Sequence, residues 1–306
     1  MRSSVHDLLA EQAASRPLAP ALSYRSVTHS YEQTWREARA AAGQLQDLGL
    51  ARGERVAIYL EKRFETVAAM FATSAADGVF VPINHVLKPL QVEHILRDSG
   101  ATFLITSADR LGLLNDVLRG SSVTTVIIVG NTVPEASGDY AVHGWNAGQA
   151  QGVVPQAPAA IDIDPAAILY TSGSTGKPKG VVLSHRNLIV GAESVSTYLK
   201  NTSDDVILSV LPLSFDAGLS QVTTAFAVGA HCVLMNYLLP REVPKVCQQY
   251  GVTGITCVPP LWLQLADLDW PAATAQRIRY WANTGGRMPR PTLNRLRELF
   301  STADPY

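Results

Sequence analysis

Cysteine is scarce in this chain, with Cys232, Cys247 and Cys257 the three present in 306 residues. An odd number at wide spacing makes no disulfide framework. Nor does it make a metal site: His231 and Cys232 are adjacent, and neighbouring side chains on a strand diverge. The three thiols read as small buried hydrophobes. No apolar run approaches the ~18 residues of a membrane span. The amino terminus carries Asp7 and Glu11 among its apolar positions, which excludes a secretory leader. With a formal net charge of −1 and scattered Lys and Arg, there is no basic tract to recommend nucleic acid. These absences describe a cytoplasmic soluble protein with no membrane span. What is present is a core: 47% hydrophobic and 17% charged residues suit a globular chain long enough for two sub-domains of ~150 residues.

From residue 30 onward, short apolar runs alternate with helical patterns. RVAIYL (55–60), VFVPI (79–83), ATFLIT (101–106) and TTVIIVG (124–130) read as strands, with helices over about 30–48, 64–76, 89–98 and 108–118 between them. Alternation of this kind implies parallel pairing covered on both faces. Residues 131–164, rich in Gly, Ala, Pro and Gln, break the rhythm and read as a long surface connection. The alternation then resumes through 166–170, 206–212, 231–236, 252–259 and 277–286. The expected fold class is therefore α/β, with two mostly parallel sheets flanked by helices. The expected sub-domains are 1–160, ending in the connecting loop, and 161–306, containing the loop described next.

Residues 171–180, TSGSTGKPKG, follow the apolar run AAILY and lead into GVVLSH. Thr171, Ser172, Ser174 and Thr175 supply hydroxyls, Gly173 and Gly176 let the backbone approach a ligand closely, and Lys177 and Lys179 flank Pro178. Hydroxyls, bare backbone N–H groups and lysine suit a polyphosphate, whose oxygens are acceptors without donors. A flexible Gly/Ser surface loop is the rival reading. A Walker loop is excluded, because Pro178 follows Lys177 and Thr171 stands five residues before Gly176.

Residues 169–185, LYTSGSTGKPKGVVLSH, closely resemble the phosphate loop of the adenylate-forming superfamily, which includes acyl-CoA synthetases, peptide-synthetase adenylation domains and luciferases. The resemblance implies a two-step reaction in which a carboxylate attacks the α-phosphate of ATP and a thiol then displaces AMP. It implies ATP, Mg2+ and CoA as cofactors, and a small-molecule carboxylate and a CoA or carrier-protein thiol as partners. Thr171 to Gly176 and Lys179 would hold the β- and γ-phosphates, with Thr171 and Lys179 catalytic. No metal ligand is assigned among these residues.

Two more segments carry the resemblance. LPLSFDAGLSQ (211–221) follows a strand and opens a helix, where open α/β sheets bind ligands. On local chemistry Phe215 also reads as a core aromatic and Asp216 as a helix N-cap. The matching family segment lines the carboxylate pocket, which implies substrate contacts for Phe215, Asp216 and Gly218. In amino-acid-activating members such an aspartate faces the substrate ammonium. The Ser-Phe-Asp-x-Gly-Leu pattern is most similar to acyl-CoA ligases of the exosortase-associated type. WANTGGRMP (281–289) reads as a tight strand-to-helix turn, and by the same resemblance Gly285, Gly286 and Arg287 lie along the adenine. His185, closing the hairpin, reads as structural.

The family's Tyr-Gly-x-Thr-Glu segment, its ribose-binding aspartate, its hinge and its C-terminal lid domain with the catalytic lysine have no counterpart in 1–306. The expectation is an AMP-forming acid–thiol ligase represented by its N-terminal part, a poor catalyst alone. Two alternatives stay open: an amino-acid-adenylating domain anchored by Asp216, and a non-catalytic nucleotide- and acid-binding module.

Overall fold

The computed structural model describes residues 2–136, 138–145, 159–171 and 178–306. In chain order the elements begin α1 (Asp7–Ser15), β1 (Pro20–Tyr24), β2 (Val27–Ser30), α2 (Tyr31–Asp47), β3 (Arg55–Tyr59), α3 (Phe64–Ala75), β4 (Val79–Pro82), α4 (Pro89–Ser99) and β5 (Phe103–Thr106). They continue α5 (Ala108–Leu118), β6 (Thr125–Ile128), β7 (Ala141–Gly144), β8 (Pro165–Thr171), β9 (Lys179–Ser184), α6 (His185–Tyr198), β10 (Val206–Ser209) and α7 (Asp216–Val228). The chain closes with β11 (His231–Leu234), α8 (Glu242–Tyr250), β12 (Gly254–Cys257), α9 (Pro259–Ala266), α10 (Ala272–Arg277), β13 (Tyr280–Asn283), α11 (Arg290–Leu299) and β14 (Asp304–Pro305).

Two compact units result. The first comprises Met1–Leu18, Tyr31–Val190 and Leu213–Phe215; the second comprises Ala19–Ser30, Gly191–Pro212 and Asp216–Tyr306. Among the described residues each holds one seven-stranded sheet, ordered β7-β6-β5-β3-β4-β8-β9 in the first unit and β14-β13-β12-β10-β11-β1-β2 in the second. The hairpins β1–β2 and β8–β9 are antiparallel and every other pairing is parallel. The α/β class with two mostly parallel sheets is as the alternation implied.

The units do not divide at residue 160. β8 pairs with β4 through Phe80↔Ala167, so residues 161–190 belong with the first sheet. The cause is the burial of Ala166, Ala167, Leu169 and Tyr170 in β8, which needs a neighbour on each edge. An apolar run is silent about which sheet supplies that neighbour. The segment 131–164 also departs from the expected bare connection. Its residues 141–144 form β7, in register with β6 from Thr125↔Ala141 to Ile128↔Gly144, and Gln44 Nε2 donates to the Gly144 carbonyl at 2.7 Å. Four residues including Gly and His are too short to show a period. Farther on, Asp77 accepts from the Ala159 and Ala160 N–H groups at 2.8 and 3.0 Å. The sequence reading also passed over α1, the β1–β2 hairpin, α9 and α10.

Each unit has its own core. Val92, Leu96, Leu104, Leu114, Val126 and Ile128 pack together in the first. In the second, Trp262 meets Trp281 and Phe300 edge-on at 5.7 and 6.4 Å between ring centroids. The Trp262 indole N–H donates to the Ala282 carbonyl at 3.1 Å, so this buried donor is satisfied. That bond fixes α9 against the end of β13. Cys232, Cys247 and Cys257 are buried and no two of them form a disulfide.

Candidate active site

The hairpin β8–β9 brings two of the expected phosphate ligands opposite each other, with Thr171 paired to Lys179 across the ladder. Ser172, Gly173, Ser174, Thr175, Gly176 and Lys177 lie outside the described residues. Both flanks of the loop are anchored in the first unit. His94 Nε2 donates to the Pro178 carbonyl at 2.8 Å, and the Tyr170 hydroxyl donates to Asp98 at 2.7 Å. Burial, with the Asp98 carboxylate beside it, raises the Tyr170 pKa and keeps that donor protonated. Lys179 is exposed and makes no ion pair among the described residues. A cation without a protein partner at the foot of such a loop is available to an anion.

His185 is a structural residue, as the sequence reading had it. It is 1% exposed, and its Nδ1 accepts from the Val5 backbone N–H at 3.1 Å. Burial pushes its pKa down to about 4, and His6 nearby adds to the effect. It therefore stays neutral, tying α1 to the start of α6.

In the second unit, β10, β12 and β13 run parallel, so their carboxyl ends and the loops that follow share one edge of the sheet. A cavity of about 160 Å³ is bounded by the first turns of α7, by Val195 and Tyr198 of α6, and by Ile207 of β10, Thr256 of β12 and residues at both ends of β13. Asp216, the first residue of α7, lines it together with Ser220 and Thr224 one and two turns on. Thr256 and Thr284 line it from the ends of β12 and β13, while Leu199, Ile207 and Tyr280 form an apolar side. Gln221 fixes the helix in place. Its Oε1 accepts from the Leu211 N–H at 3.2 Å, and its Nε2 donates to the Thr256 carbonyl at 3.0 Å.

Gly218 has a different position from Asp216. A Cβ there would stand 1.9 Å from the Pro212 carbonyl oxygen, so any side chain would collide with backbone. Gly218 serves the approach of α7 to the preceding loop, and it is absent from the cavity lining. Phe215 falls in the first unit and is 42% exposed, which removes the core-aromatic alternative.

After β13 the chain turns sharply. Gly285 has φ of +74°, a region that suits glycine. The Thr284 N–H donates to the Cys257 carbonyl at 3.0 Å, and Asn283 Nδ2 donates to the Gly286 carbonyl at 2.8 Å. These bonds hold the 284–287 turn directly beside the cavity residue Thr284. Gly286 and Arg287 are exposed. The Asn283 N–H donates to the Tyr306 carbonyl at 2.9 Å, and the Tyr306 ring approaches those of Tyr198 and Tyr280 at 6.0 and 6.3 Å.

Behind Tyr280 lies a charged clamp. Arg279 donates from Nε and Nη2 to the two oxygens of Asp205 at 3.0 and 2.7 Å, and from Nη1 to the Leu199 carbonyl at 2.9 Å. Burial works against the Asp205 carboxylate, but the bonds from Arg279, the Thr202 N–H, Thr253 and Asn201 outweigh it and hold its pKa below the usual value. The clamp ties the end of α6 to β13, and so sets the separation of Leu199 and Tyr280 in the cavity wall.

Thr224, Thr256, Tyr280, Thr284 and the Asp205–Arg279 clamp escaped the sequence reading. A signal for part of this set existed: Asp216, Ser220 and Thr224 recur every four residues and so share one face of α7.

Residues 9–305 match the family described as AMP-binding enzyme. The chain belongs to that family. One relative, the L-proline–[L-prolyl-carrier protein] ligase of Streptomyces coelicolor, is 31% identical over 283 residues, covering 90% of this chain and 53% of its own. The crotonobetaine/carnitine–CoA ligase of Salmonella paratyphi A is 28% identical over 251 residues, covering 81% and 48%. Among solved structures, VinN in complex with L-aspartate superposes with a TM-score of 0.83 at 26% identity, over 100% of this chain and 76% of its own. The chain thus spans about half the length of the curated relatives it matches. These likenesses reach the family and carry nothing about the exosortase-associated subgroup.

Proposed function

We propose that this chain forms the ATP- and acid-binding part of an AMP-forming acid–thiol ligase. The observation that carries the reading is the cavity walled by the opening of α7 and by residues of β10, β12 and β13, with Thr284, next to Gly285, in its lining, in a chain that matches the AMP-binding family from 9 to 305. An acid seated there presents its carboxylate toward the turn along which adenine would lie. A carboxylate oxygen attacks the α-phosphorus, the bond to the β-phosphate oxygen breaks, and pyrophosphate leaves. A thiolate of CoA or of a carrier protein then attacks the acyl carbon, and AMP departs with the former carboxylate oxygen.

The carboxylate is already ionised at neutral pH, so the protein's task is to hold the leaving pyrophosphate and align the attack. Lys179 and Thr171, with the hydroxyls and N–H groups of Ser172 to Gly176, are assigned to the β- and γ-phosphates. Gly285, Gly286 and Arg287 are assigned to the base. Among the described residues no three His, Cys, Asp or Glu side chains converge on one point. Mg2+ would neutralise oxygens of the bound triphosphate. No helix among the described residues is long and apolar enough to cross a membrane, and the reading puts the protein in the cytoplasm, where ATP and CoA are found.

The second reading, amino-acid activation, is favoured by the place of Asp216 in the cavity lining. The name of the prolyl-carrier ligase relative points the same way. ATP–pyrophosphate exchange by the protein expressed from its native gene, run against amino acids and their deaminated counterparts, tests both. Exchange dependent on any acid supports the ligase, and exchange with none refutes it. Asp216→Asn should abolish the amino-acid signal selectively if its carboxylate faces an ammonium.

A further inference from the structure

Pairing of the polar and apolar sides of the cavity narrows the substrate. On one side stand Asp216, Ser220 and Thr224 of α7, joined by Thr256 at the end of β12. Ser220 and Thr224 hydroxyls lie 3.4 Å apart, at the long limit of a hydrogen bond. The side chains of Asp216, Thr256 and Thr284 make no hydrogen bond among the described residues. The opposite side is Leu199, Ile207 and Tyr280, all buried. Thr224, 2% exposed, is the most deeply buried member of the row, and its hydroxyl faces that of Ser220. A polar row facing an apolar wall would leave the row unanswered by a saturated alkyl chain, and unanswered buried hydroxyls oppose binding.

Size sets the other bound. An apolar cavity of about 150 Å³ accommodates benzene, and this one measures about 160 Å³. From this geometry we infer that the acid places a hydroxyl or amino group along the edge that faces α7, with about one six-membered ring of bulk held inside the cavity. This inference rests on the acid-activating reading above.

Matched pairs test it by pyrophosphate exchange with the native full-length protein: benzoate against 3-hydroxybenzoate, cyclohexanecarboxylate against 3-hydroxycyclohexanecarboxylate, and hexanoate against 5-hydroxyhexanoate. The hydroxylated member should lead its partner by roughly tenfold in kcat/KM. Thr224→Val and Thr256→Val, nearly unchanged in volume, should bring the ratio toward one. Equal rates within the pairs would overturn the inference while leaving the ligase reading intact. Exchange with no acid would refute the ligase reading. The same pairs, read then by thermal shift without ATP, judge the cavity separately: greater stabilisation by the hydroxylated members upholds the inference, and equal shifts overturn it.

Discussion

Acid should unfold this protein earlier than its carboxylates alone would require, because two histidines are held neutral, His185 buried and His231 half-buried. His185 is pushed down to about 4 by burial, with His6 adding to the effect, and His231 is pushed to about 4 by burial. In the unfolded chain both return to about 6.5. Since the folded value is depressed, stability is complete above pH 6.5 and falls as pH drops toward 4, where the unfolded chain takes up protons that the folded one refuses. At pH 4.5 the linkage amounts to about 2.6 kcal/mol for each histidine. Together they remove about 5 kcal/mol, set against a typical total of 5–15.

His185 is the better probe, because its surroundings are mapped. His6, Asp7, Asp77 and Asp164 all face it, and His6 is itself held below its ordinary pKa, chiefly by burial. The three carboxylates pull the value up but do not overcome desolvation and the second imidazole. Protonation at Nδ1 would also convert the acceptor of the Val5 N–H into a donor, breaking the tie to α1. Urea unfolding followed by tryptophan fluorescence at pH 7.5, 6.0 and 4.5 measures the slope. His185→Gln keeps an acceptor and removes the titration, so it should be less stable at pH 7.5 yet lose about 2.6 kcal/mol less than the parent on going to pH 4.5. An unchanged slope in the variant would refute the assignment.

Other perturbations have outcomes set by the same geometry. Gly218→Ala places a methyl against the Pro212 carbonyl and should cost about 2–3 kcal/mol or more in urea unfolding. Asp205→Ala leaves Arg279 without its carboxylate partner and should destabilise by about 3 kcal/mol, with Leu199 and Tyr280 loosened and KM for the acid raised more than kcat is lowered. Lys179→Ala should reduce kcat for pyrophosphate exchange roughly 100-fold with little change in KM for the acid; an unaltered kcat would remove Lys179 from the leaving-group site.

What the sequence disclosed and what it hid follow from the range of the interactions involved. The phosphate hairpin was legible because a strand, a loop and a return strand are contiguous, and the antiparallel partner of Thr171 is Lys179, eight positions on. The 284–287 turn was legible for the same reason, since Gly285 requires its positive φ locally. Sheet membership was not: β8 reaches the first sheet through Phe80↔Ala167, and nothing in an apolar run names a partner so distant in the chain. The Asp205–Arg279 clamp joins positions just as far apart, and each residue alone reads as an ordinary solvated charge. Gly218 shows the opposite failing. Its neighbour Asp216 lines the cavity, and the resemblance implied substrate contacts for both, yet on a helix residues two apart point in different directions. Asp216, Ser220 and Thr224 follow the four-residue spacing that adjacency ignores, and it is this row, not the motif Phe215–Asp216–Gly218, that gives the cavity its polar side. The cavity wall is accordingly written in helical periodicity and in contacts across the sheet, whereas the family motif is written in a contiguous string. That is why the family could be read from ten residues and the lining of the cavity required the structure.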